Sequence, residues 1–314
     1  MEYIISTLSL IFCAVIYIKL AQKYNIVDNP NFRSSHTLPT IRGGGILFYI
    51  AILLFFISSK FQYPYFIAGV SLIALLSFLD DLISLSPKIR LPFQFIAVFL
   101  LLIELQMHQH PIWLLALLLV IGVGFVNTYN FMDGINGITG LYSLAVLGGL
   151  FFINVKEQFI DSRLIVFSII ALLVFGYYNF RKKARFFAGD IGSITIAMLI
   201  LFLVLKFIVH LQAPVLVLLV LVYGVDGVLT ILYRMCLKES ITQAHRHHIY
   251  QKLVDKAHWS HLKVAGVYAL VQLLLNVVVI YSYQLAFIAQ LGIVVAIVLS
   301  MAICYLFVFN TLKK

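Results

Sequence analysis

Charged side chains are scarce in this chain. Asp, Glu, Lys and Arg make up 11% of its 314 residues, whereas soluble domains carry about 25%. Hydrophobic residues account for 63%, and mean hydropathy is +1.05. The apolar residues fall into runs of roughly 15 to 24, close to the ~20 residues that cross a bilayer, which excludes a soluble multi-domain protein.

These runs predict an all-α, polytopic integral membrane protein with about eleven transmembrane helices, ten being the alternative count. We place them approximately at residues 3–22, 43–59, 65–79, 91–105, 111–129, 137–154, 163–178, 193–210, 213–233, 263–281 and 285–308. The first run lacks both a basic segment before it and a small-residue cleavage site. We therefore expect it to be retained as a span.

Cysteine is also scarce. Cys13, Cys236 and Cys304 are scattered in or beside apolar runs, which excludes a disulfide framework and a cysteine metal site. Internal repeats, linkers and low-complexity stretches are missing from the sequence as well. Residues 1–314 are therefore expected to form a single membrane domain.

Acidic residues are outnumbered, and the net charge is +10. Such a charge could suit nucleic acid, but most Lys and Arg residues lie in connections on one side of the predicted spans. The other side has only Lys60, Lys156 and Arg163. The positive-inside rule therefore predicts a cytoplasmic basic side, an outside N-terminus, an inside C-terminus and no nucleic-acid partner.

The first cytoplasmic connection ends in Arg42-Gly43-Gly44-Gly45, at the mouth of the second span. Three glycines let backbone N–H groups approach an anion, and the following helix start contributes its positive dipole end. We predict that Arg42 and Gly44 bind substrate. The alternative is that the glycines only allow close helix packing.

The second connection begins with Asp80-Asp81 and continues to Lys88 and Arg90. Neighbouring carboxylates repel, so the pair requires a cation, a proton or basic partners. One of the two is a candidate general base. Alternatively, the pair only caps a helix end.

In the third connection, oxygen-bearing side chains recur at three-residue steps: Asn127, Asn130, Asp133 and Asn136. Amide and carboxylate oxygens suit a hard cation such as Mg²⁺, which keeps several waters and takes one or two protein carboxylates. A glycine-terminated helix with amide caps is the structural alternative.

The fourth connection places Asp190 between Gly189 and Gly192, with Ser193 as the predicted N-cap of the next helix. Asp190 would then lie where a metal and a pyrophosphate meet the helix dipole. Further along, Asp226 stands between Gly224 and Gly227 within a span, where a carboxylate is usually functional or paired.

The longest cytoplasmic connection, residues 234–263, carries Arg246, His247 and His248. No Cys or carboxylate completes a zinc-type spacing, so these side chains are better suited to phosphate oxygens or a leaving nucleotide. A solvated amphipathic face on the membrane surface is the alternative. Together the five connections favour phosphoryl transfer between a soluble nucleotide and a membrane-held acceptor.

Five motifs between about residues 28 and 253 carry a family resemblance: DNPNFRSSHTLPTIRGGG, FLDDLISLSPKIR, NTYNFMDGING, FFAGDIGS and HRHHIYQKL. Their order and content resemble the polyprenyl-phosphate N-acetylhexosamine-1-phosphate transferases of glycosyltransferase family 4. That superfamily includes the phospho-N-acetylmuramoyl-pentapeptide transferase. The resemblance implies transfer of a sugar 1-phosphate from a UDP-sugar to undecaprenyl phosphate, with release of UMP, at the cytoplasmic face of the bacterial inner membrane.

The resemblance also implies roles for individual residues. Asp80, Asp81, Asp133 and Asp190 are expected to be catalytic, and Asp190 with Asn130 to hold Mg²⁺, with Mn²⁺ as the alternative metal. Substrate binding is expected of Arg42, Gly44, Lys88, Asn127, Asn130, Asn136, Asp226, Arg246, His247 and His248. Whether the enzyme is a homodimer is left open.

The sequence departs from the family pattern at three places: Asn136 replaces a frequent aspartate, Ser34 replaces a basic residue, and Tyr250-Gln251 replaces a second histidine pair. The first cytoplasmic motif and the final loop resemble the glycan-initiating branch, which begins O-antigen, capsule or cell-wall glycans with UDP-GlcNAc or a UDP-N-acetyl-6-deoxyhexosamine. The muramoyl-pentapeptide transferase is the alternative. A transporter or lipid flippase, the rival of another class, predicts inverted repeats and polar residues at all membrane depths.

Overall fold

The computed structural model describes residues 1–30, 38–240 and 246–312, which are almost entirely helical. Two short strands, β1 (Val27–Asp28) and β2 (Thr40–Ile41), pair antiparallel. The helices of the described residues are α1 (Glu2–Lys23), α2 (Ile46–Ser58), α3 (Pro64–Ile83), α4 (Pro87–Glu104), α5 (Ile112–Phe131), α6 (Ile138–Glu157), α7 (Ser162–Asn179), α8 (Gly189–Leu211), α9 (Leu221–Cys236), α10 (Ile249–Asp255), α11 (His261–Ser282) and α12 (Phe287–Thr311).

Each predicted apolar run is helical, so the prediction of an all-α polytopic membrane protein is confirmed. Within the described ranges, nine helical segments are long and apolar enough to cross a membrane. The other two runs are α2, which has only 13 residues, and α4, which carries Lys88, Arg90 and Glu104.

The ninth span is interrupted. A 3-10 helix, Pro214–Val220, precedes α9, and its Leu218 carbonyl accepts a hydrogen bond from Gln272 Nε2 at 3.0 Å. Tyr142 donates its hydroxyl to Gln272 Oε1 at 3.0 Å and accepts the Tyr223 N–H at 3.4 Å. A broken helix exposes backbone groups that lipid cannot satisfy, and here Gln272 of α11 satisfies one of them.

The first and fourth polar connections run side by side at one end of the bundle. Phe187 donates its N–H to the Ile41 carbonyl at 2.8 Å, and Gly44 donates its N–H to the Phe187 carbonyl at 2.8 Å. Asn136 of the third connection donates its side-chain amide to the Arg181 carbonyl at 3.0 Å. These contacts gather three connections that lie far apart in the sequence.

The longest connection joins the same end. Tyr250 donates its hydroxyl to the Phe131 carbonyl, where α5 ends, at 2.9 Å. The connection is shorter than its predicted bounds of 234–263, because α9 continues to Cys236 and α11 begins at His261, and it contains α10. The structure thus places four of the five polar connections together.

We expect Gln272→Leu to lower the stability of the bundle, because the leucine leaves the Leu218 carbonyl and the Tyr142 hydroxyl without their partner. Each buried polar group left unpaired costs about 1–3 kcal/mol. Thermal unfolding of detergent-purified protein, followed by fluorescence-detected size exclusion, should show a loss of roughly 5 °C or more. Gln62→Leu, at an exposed position, is the control, and equal unfolding temperatures for the two variants would contradict the assignment.

Candidate active site

The paired aspartates close α3, and Asp81 binds the start of another helix. Asp81 Oδ1 accepts the Asp190 N–H at 2.8 Å, and its Oδ2 accepts the Ile191 N–H at 3.1 Å. The Asp81 side chain is fully buried. The helix-cap alternative therefore describes Asp81, although the helix that it caps is α8 rather than its own.

Two arginines link the aspartates. Arg42 places Nε 2.6 Å from Asp81 Oδ1 and Nη2 3.3 Å from Asp190 Oδ1. Arg90 places Nη1 2.5 Å from Asp80 Oδ2 and 3.0 Å from Asp190 Oδ2. Asp190 is thus held between both guanidinium groups, and the three carboxylates and two arginines form one cluster.

Access differs within this cluster. The Asp190 side chain is 16% exposed, and those of Arg42 and Arg90 are 28% and 21% exposed, so all three can be reached by a ligand. Burial would lower the pKa of Arg42, but Asp81 and Asp190 outweigh it and raise that pKa. With both arginines charged and the carboxylates ionised, the cluster carries one residual negative charge.

The glycines of the first and fourth connections bring α2 and α8 into backbone contact. The Gly44 N–H is donated to the Phe187 carbonyl, and the Gly45 N–H to the Ala188 carbonyl. A side chain on Gly45 would collide with Gly192. These contacts fit the packing alternative, and the role of Gly44 in binding an anion stays a prediction.

Asn130 and Asp133 lie beside the cluster. Ser193 donates its hydroxyl to Asn130 Oδ1 at 2.7 Å, and Ser193 lies one helical turn after Asp190 in α8. The prediction that Ser193 is the N-cap of this helix is wrong, because α8 begins at Gly189 and its N-cap residue is Ala188. Burial raises the pKa of Asp133 to about 6, and the negative charge of Asp81 acts in the same direction.

Three other residues that were predicted to bind substrate make contacts outside the cluster of carboxylates and arginines, or are exposed. Asn127 pairs its amide with that of Gln94 at 2.7 and 3.2 Å. Asn136 binds backbone carbonyls of the fourth connection. Lys88 is exposed on the first turn of α4, and Arg90, two residues later, reaches the carboxylates.

Asp226, which had no partner in the sequence interpretation, is buried in a polar cluster with His248. His248 Nδ1 lies 3.1 Å from Asp226 Oδ1, and the Ile249 N–H is donated to the same oxygen at 3.2 Å. Tyr268 donates its hydroxyl to Asp226 Oδ2 at 2.6 Å. Asp226 and His248 therefore fix the start of α10.

The neighbouring residues Arg246 and His247 contact carboxylates nearer the surface. Arg246 Nη2 lies 2.8 Å from Asp255 Oδ1, and His247 Nε2 lies 3.2 Å from Glu239 Oε1. The substrate-binding roles predicted for Arg246, His247, His248 and Asp226 stay predictions. Residues 31–37 of the first motif and His245 of the last lie outside the described residues.

Among the described residues, no three His, Cys, Asp or Glu side chains are arranged to hold a metal ion by themselves. Mg²⁺ does not need such a set, because it is commonly bound by one or two carboxylates together with substrate phosphates. Asp80 and Asp190 meet this requirement, since one oxygen of each lies within 3.0 Å of the same Arg90 nitrogen. The side chains of Asp80 and Asp190 are 6% and 16% exposed, and these two carboxylates fit a divalent cation. The Asp81 carboxylate is fully buried against the first turn of α8.

Sequence reasoning missed two contributors to this end of the protein. Tyr17, in α1, donates its hydroxyl to the Arg42 carbonyl at 2.5 Å, and no motif surrounds it. Tyr250 was interpreted as a departure from a histidine pattern, yet it anchors α10 beside Asp133 through the Phe131 carbonyl. Only the three-dimensional contacts reveal either role.

Comparison with known proteins shows which family part of the chain matches. Residues 63–208 match glycosyl transferase family 4. A probable undecaprenyl-phosphate N-acetylglucosaminyl 1-phosphate transferase of Bacillus subtilis (strain 168) is 26% identical over 283 residues, covering 80% of this chain and 76% of the relative. The undecaprenyl-phosphate alpha-N-acetylglucosaminyl 1-phosphate transferase of Yersinia pestis is 27% identical over 262 residues, covering 74% of this chain and 71% of the relative.

A phospho-N-acetylmuramoyl-pentapeptide-transferase of Thermotoga neapolitana is 31% identical over 175 residues, covering 49% of this chain and 56% of the relative. The stretch that matches the family contains Asp80, Asp81, Asp133 and Asp190. These matches agree with the resemblance carried by the motifs. Residues 63–208 of this multi-pass membrane protein thus match glycosyl transferase family 4, and the chain is similar to phosphosugar transferases.

Proposed function

We propose that this protein transfers an N-acetylhexosamine 1-phosphate from a UDP-sugar to undecaprenyl phosphate, releasing UMP, in a Mg²⁺-dependent reaction at the cytoplasmic face of the inner membrane. The observation that carries the proposal is the cluster of Asp80, Asp81 and Asp190 with Arg42 and Arg90. It lies at one end of the bundle, where a soluble nucleotide and a lipid phosphate can meet.

Charge explains why this cluster suits a diphosphate. With one residual negative charge, it would repel the substrate, whereas a divalent cation beside Asp80 and Asp190 makes it positive. When bound, Mg²⁺ stabilises the charge that spreads over the transferring phosphoryl group. Arg42 and Arg90 supply N–H donors for diphosphate oxygens, with the planar geometry that suits phosphate.

In the proposed reaction, an oxygen of the lipid phosphate forms a bond to the β-phosphorus of the UDP-sugar. The bond from that phosphorus to the oxygen bridging to the α-phosphate breaks, and UMP leaves. A phosphate monoester has a second pKa of about 6, so the attacking group is largely ionised at neutral pH. Asp133, with a pKa of about 6, is the carboxylate best matched to accept a remaining proton.

Two considerations favour an N-acetylhexosamine over a muramoyl pentapeptide. The relatives that align over about three quarters of the chain are named for N-acetylglucosaminyl 1-phosphate transfer, whereas the muramoyl-pentapeptide relative aligns over 49%. The loop around Arg246 and His248 also resembles the glycan-initiating branch. We propose that the lipid-linked product begins a surface or cell-wall glycan.

Purified protein should release UMP from UDP-GlcNAc or a UDP-N-acetyl-6-deoxyhexosamine when undecaprenyl phosphate and Mg²⁺ are present, and chelation should stop it. Asp190→Ala should lower the rate roughly a hundredfold or more, because it removes a cation ligand where negative charge develops. Asp161→Ala, at the opposite end of the bundle, is the control. Mass spectrometry of extracted lipids identifies the sugar, and UMP release unaffected by Asp190→Ala would remove the metal assignment.

Arg90 and Lys88 provide a matched pair within one motif. Arg90→Gln should lower kcat/KM for the UDP-sugar by roughly 10- to 100-fold, since it removes charge-assisted hydrogen bonds. Lys88→Gln should change kcat/KM less than threefold, because Lys88 is exposed and away from the carboxylates. Steady-state kinetics measure both values of kcat/KM. A larger loss in Lys88→Gln than in Arg90→Gln would assign substrate binding to Lys88 instead of Arg90.

The proposed orientation can be tested on intact cells. In a background with Cys13, Cys236 and Cys304 replaced by alanine, Gln62→Cys should react with a membrane-impermeant maleimide from outside. Lys183→Cys, exposed in the fourth connection, should react only after the cells are permeabilised. Labelling of Lys183→Cys in intact cells would place the carboxylate cluster on the wrong side for a cytoplasmic nucleotide.

A further inference from the structure

The first turn of α8 lacks a cap from its own chain segment. The first four N–H groups of an α-helix have no acceptor inside the helix and are usually satisfied by a side chain at the N-cap. The N-cap residue of α8 is Ala188, which has no side-chain oxygen. Asp81 of α3 supplies the acceptor instead, through its bonds to the N–H groups of Asp190 and Ile191.

A carboxylate is well suited to this place, because the N-terminus of a helix carries a partial positive charge. The Asp81 carboxylate is also 2.6 Å from Arg42 Nε, so its charge is balanced although the side chain is fully buried. Gly189 closes the arrangement, since an added side chain there would collide with Asp81 Oδ2. The two N–H groups, Arg42 and Gly189 therefore hold the Asp81 carboxylate at the start of α8.

The consequence falls on Asp190. Its backbone N–H is one of the two groups that Asp81 holds, so Asp81 fixes the point from which the Asp190 side chain leaves the helix. Asp80 makes different contacts, because its oxygens accept from Arg90 and from the Leu85 N–H. The two adjacent aspartates are thus committed to different tasks.

We propose that Asp81 is a positioning residue, which sets the place of Asp190 by capping α8 from a neighbouring helix and which neither transfers a proton nor binds the metal. The inference rests on the proposed function only in taking Asp190 as a metal ligand. It divides the aspartate pair, with Asp80 facing the cation and Asp81 facing the helix.

A second link extends the arrangement to α1. Tyr17 donates its hydroxyl to the Arg42 carbonyl at 2.5 Å, and a side chain added to Gly43 would meet both Tyr17 and Asp81. Tyr17 thereby holds the backbone from which Arg42 reaches Asp81. Removing this hydroxyl should loosen the same structure more weakly than a change at Asp81 itself.

Hydrogen exchange of the full-length protein in lipid nanodiscs tests the cap directly. In the wild type, the amides of Asp190 and Ile191 should be protected. Asp81→Asn places an amide donor among N–H donors, so exchange of these two amides should accelerate roughly 10- to 100-fold. Tyr17→Phe should accelerate the exchange of the same two amides by a smaller factor. This variant is measured instead if Asp81→Asn does not fold. Unchanged protection in whichever variant is folded would overturn the proposal.

Metal binding and kinetics separate positioning from proton transfer. Asp81→Asn should weaken Mn²⁺ binding, measured by electron paramagnetic resonance without substrate, by roughly 10-fold or more. The Mg²⁺ concentration for half-maximal rate should rise equally, while the pH dependence of kcat keeps its wild-type shape. Loss of a pH-dependent limb with unchanged Mn²⁺ affinity would show that Asp81 is a base.

Asp80→Asn is the matched control, since it should leave the Asp190 and Ile191 amides protected. Equal acceleration in both variants would mean that a general loosening of α3 is responsible, which contradicts a specific cap. If the wild type released no UMP with any UDP-sugar, the proposed function would fail, yet the exchange experiment would still decide the role of Asp81.

Discussion

The interaction on which this end of the molecule depends is the hydrogen bonding of a buried carboxylate, Asp81, to the first turn of α8. A charge at a membrane boundary is tolerated only when it is paired or hydrated. Asp81 is paired twice, with the positive end of a helix and with Arg42. Asp190, Arg42 and Arg90 can then stay partly exposed, because the structure that positions them is built from buried contacts.

Much of this architecture could be predicted from the sequence, because lipid imposes a strong rule. Apolar runs of the required length must be helical, and each predicted run is helical in the structure. The predictions were weaker where a helix departs from the rule. The break before Leu221 has no strong signal, since the Pro at its start is compatible with an ordinary helix N-terminus. Its partners, Tyr142 and Gln272, lie on other helices.

The sequence predicted which residues gather at the candidate site better than it predicted how they are arranged. Carboxylates, glycines and arginines at the ends of apolar runs indicated where polar chemistry would gather, and the contacts join these segments. The partner of each side chain could not be predicted. Lys88 and Arg90 carry the same charge in the same motif, and the sequence does not show which of them reaches the carboxylates. Ser193 has the composition of a helix cap, yet a carboxylate from α3 takes that place and leaves Ser193 to bind Asn130.

The contact of Gly45 with Gly192 has a consequence for the opposite surface. Since no side chain separates the two backbones, the starts of α2 and α8 form one rigid unit. The distance that α2 spans across the bundle is therefore counted from this contact. With 13 residues, α2 rises about 20 Å, less than a hydrocarbon core of ~30 Å. Helices α1, α3, α7 and α8 contact it, so most of α2 packs against protein, although Ile57 near its far end is exposed. An insertion or deletion beyond Ser58 would then be absorbed at the end of the bundle opposite the carboxylate cluster, and the cluster would be insulated from it.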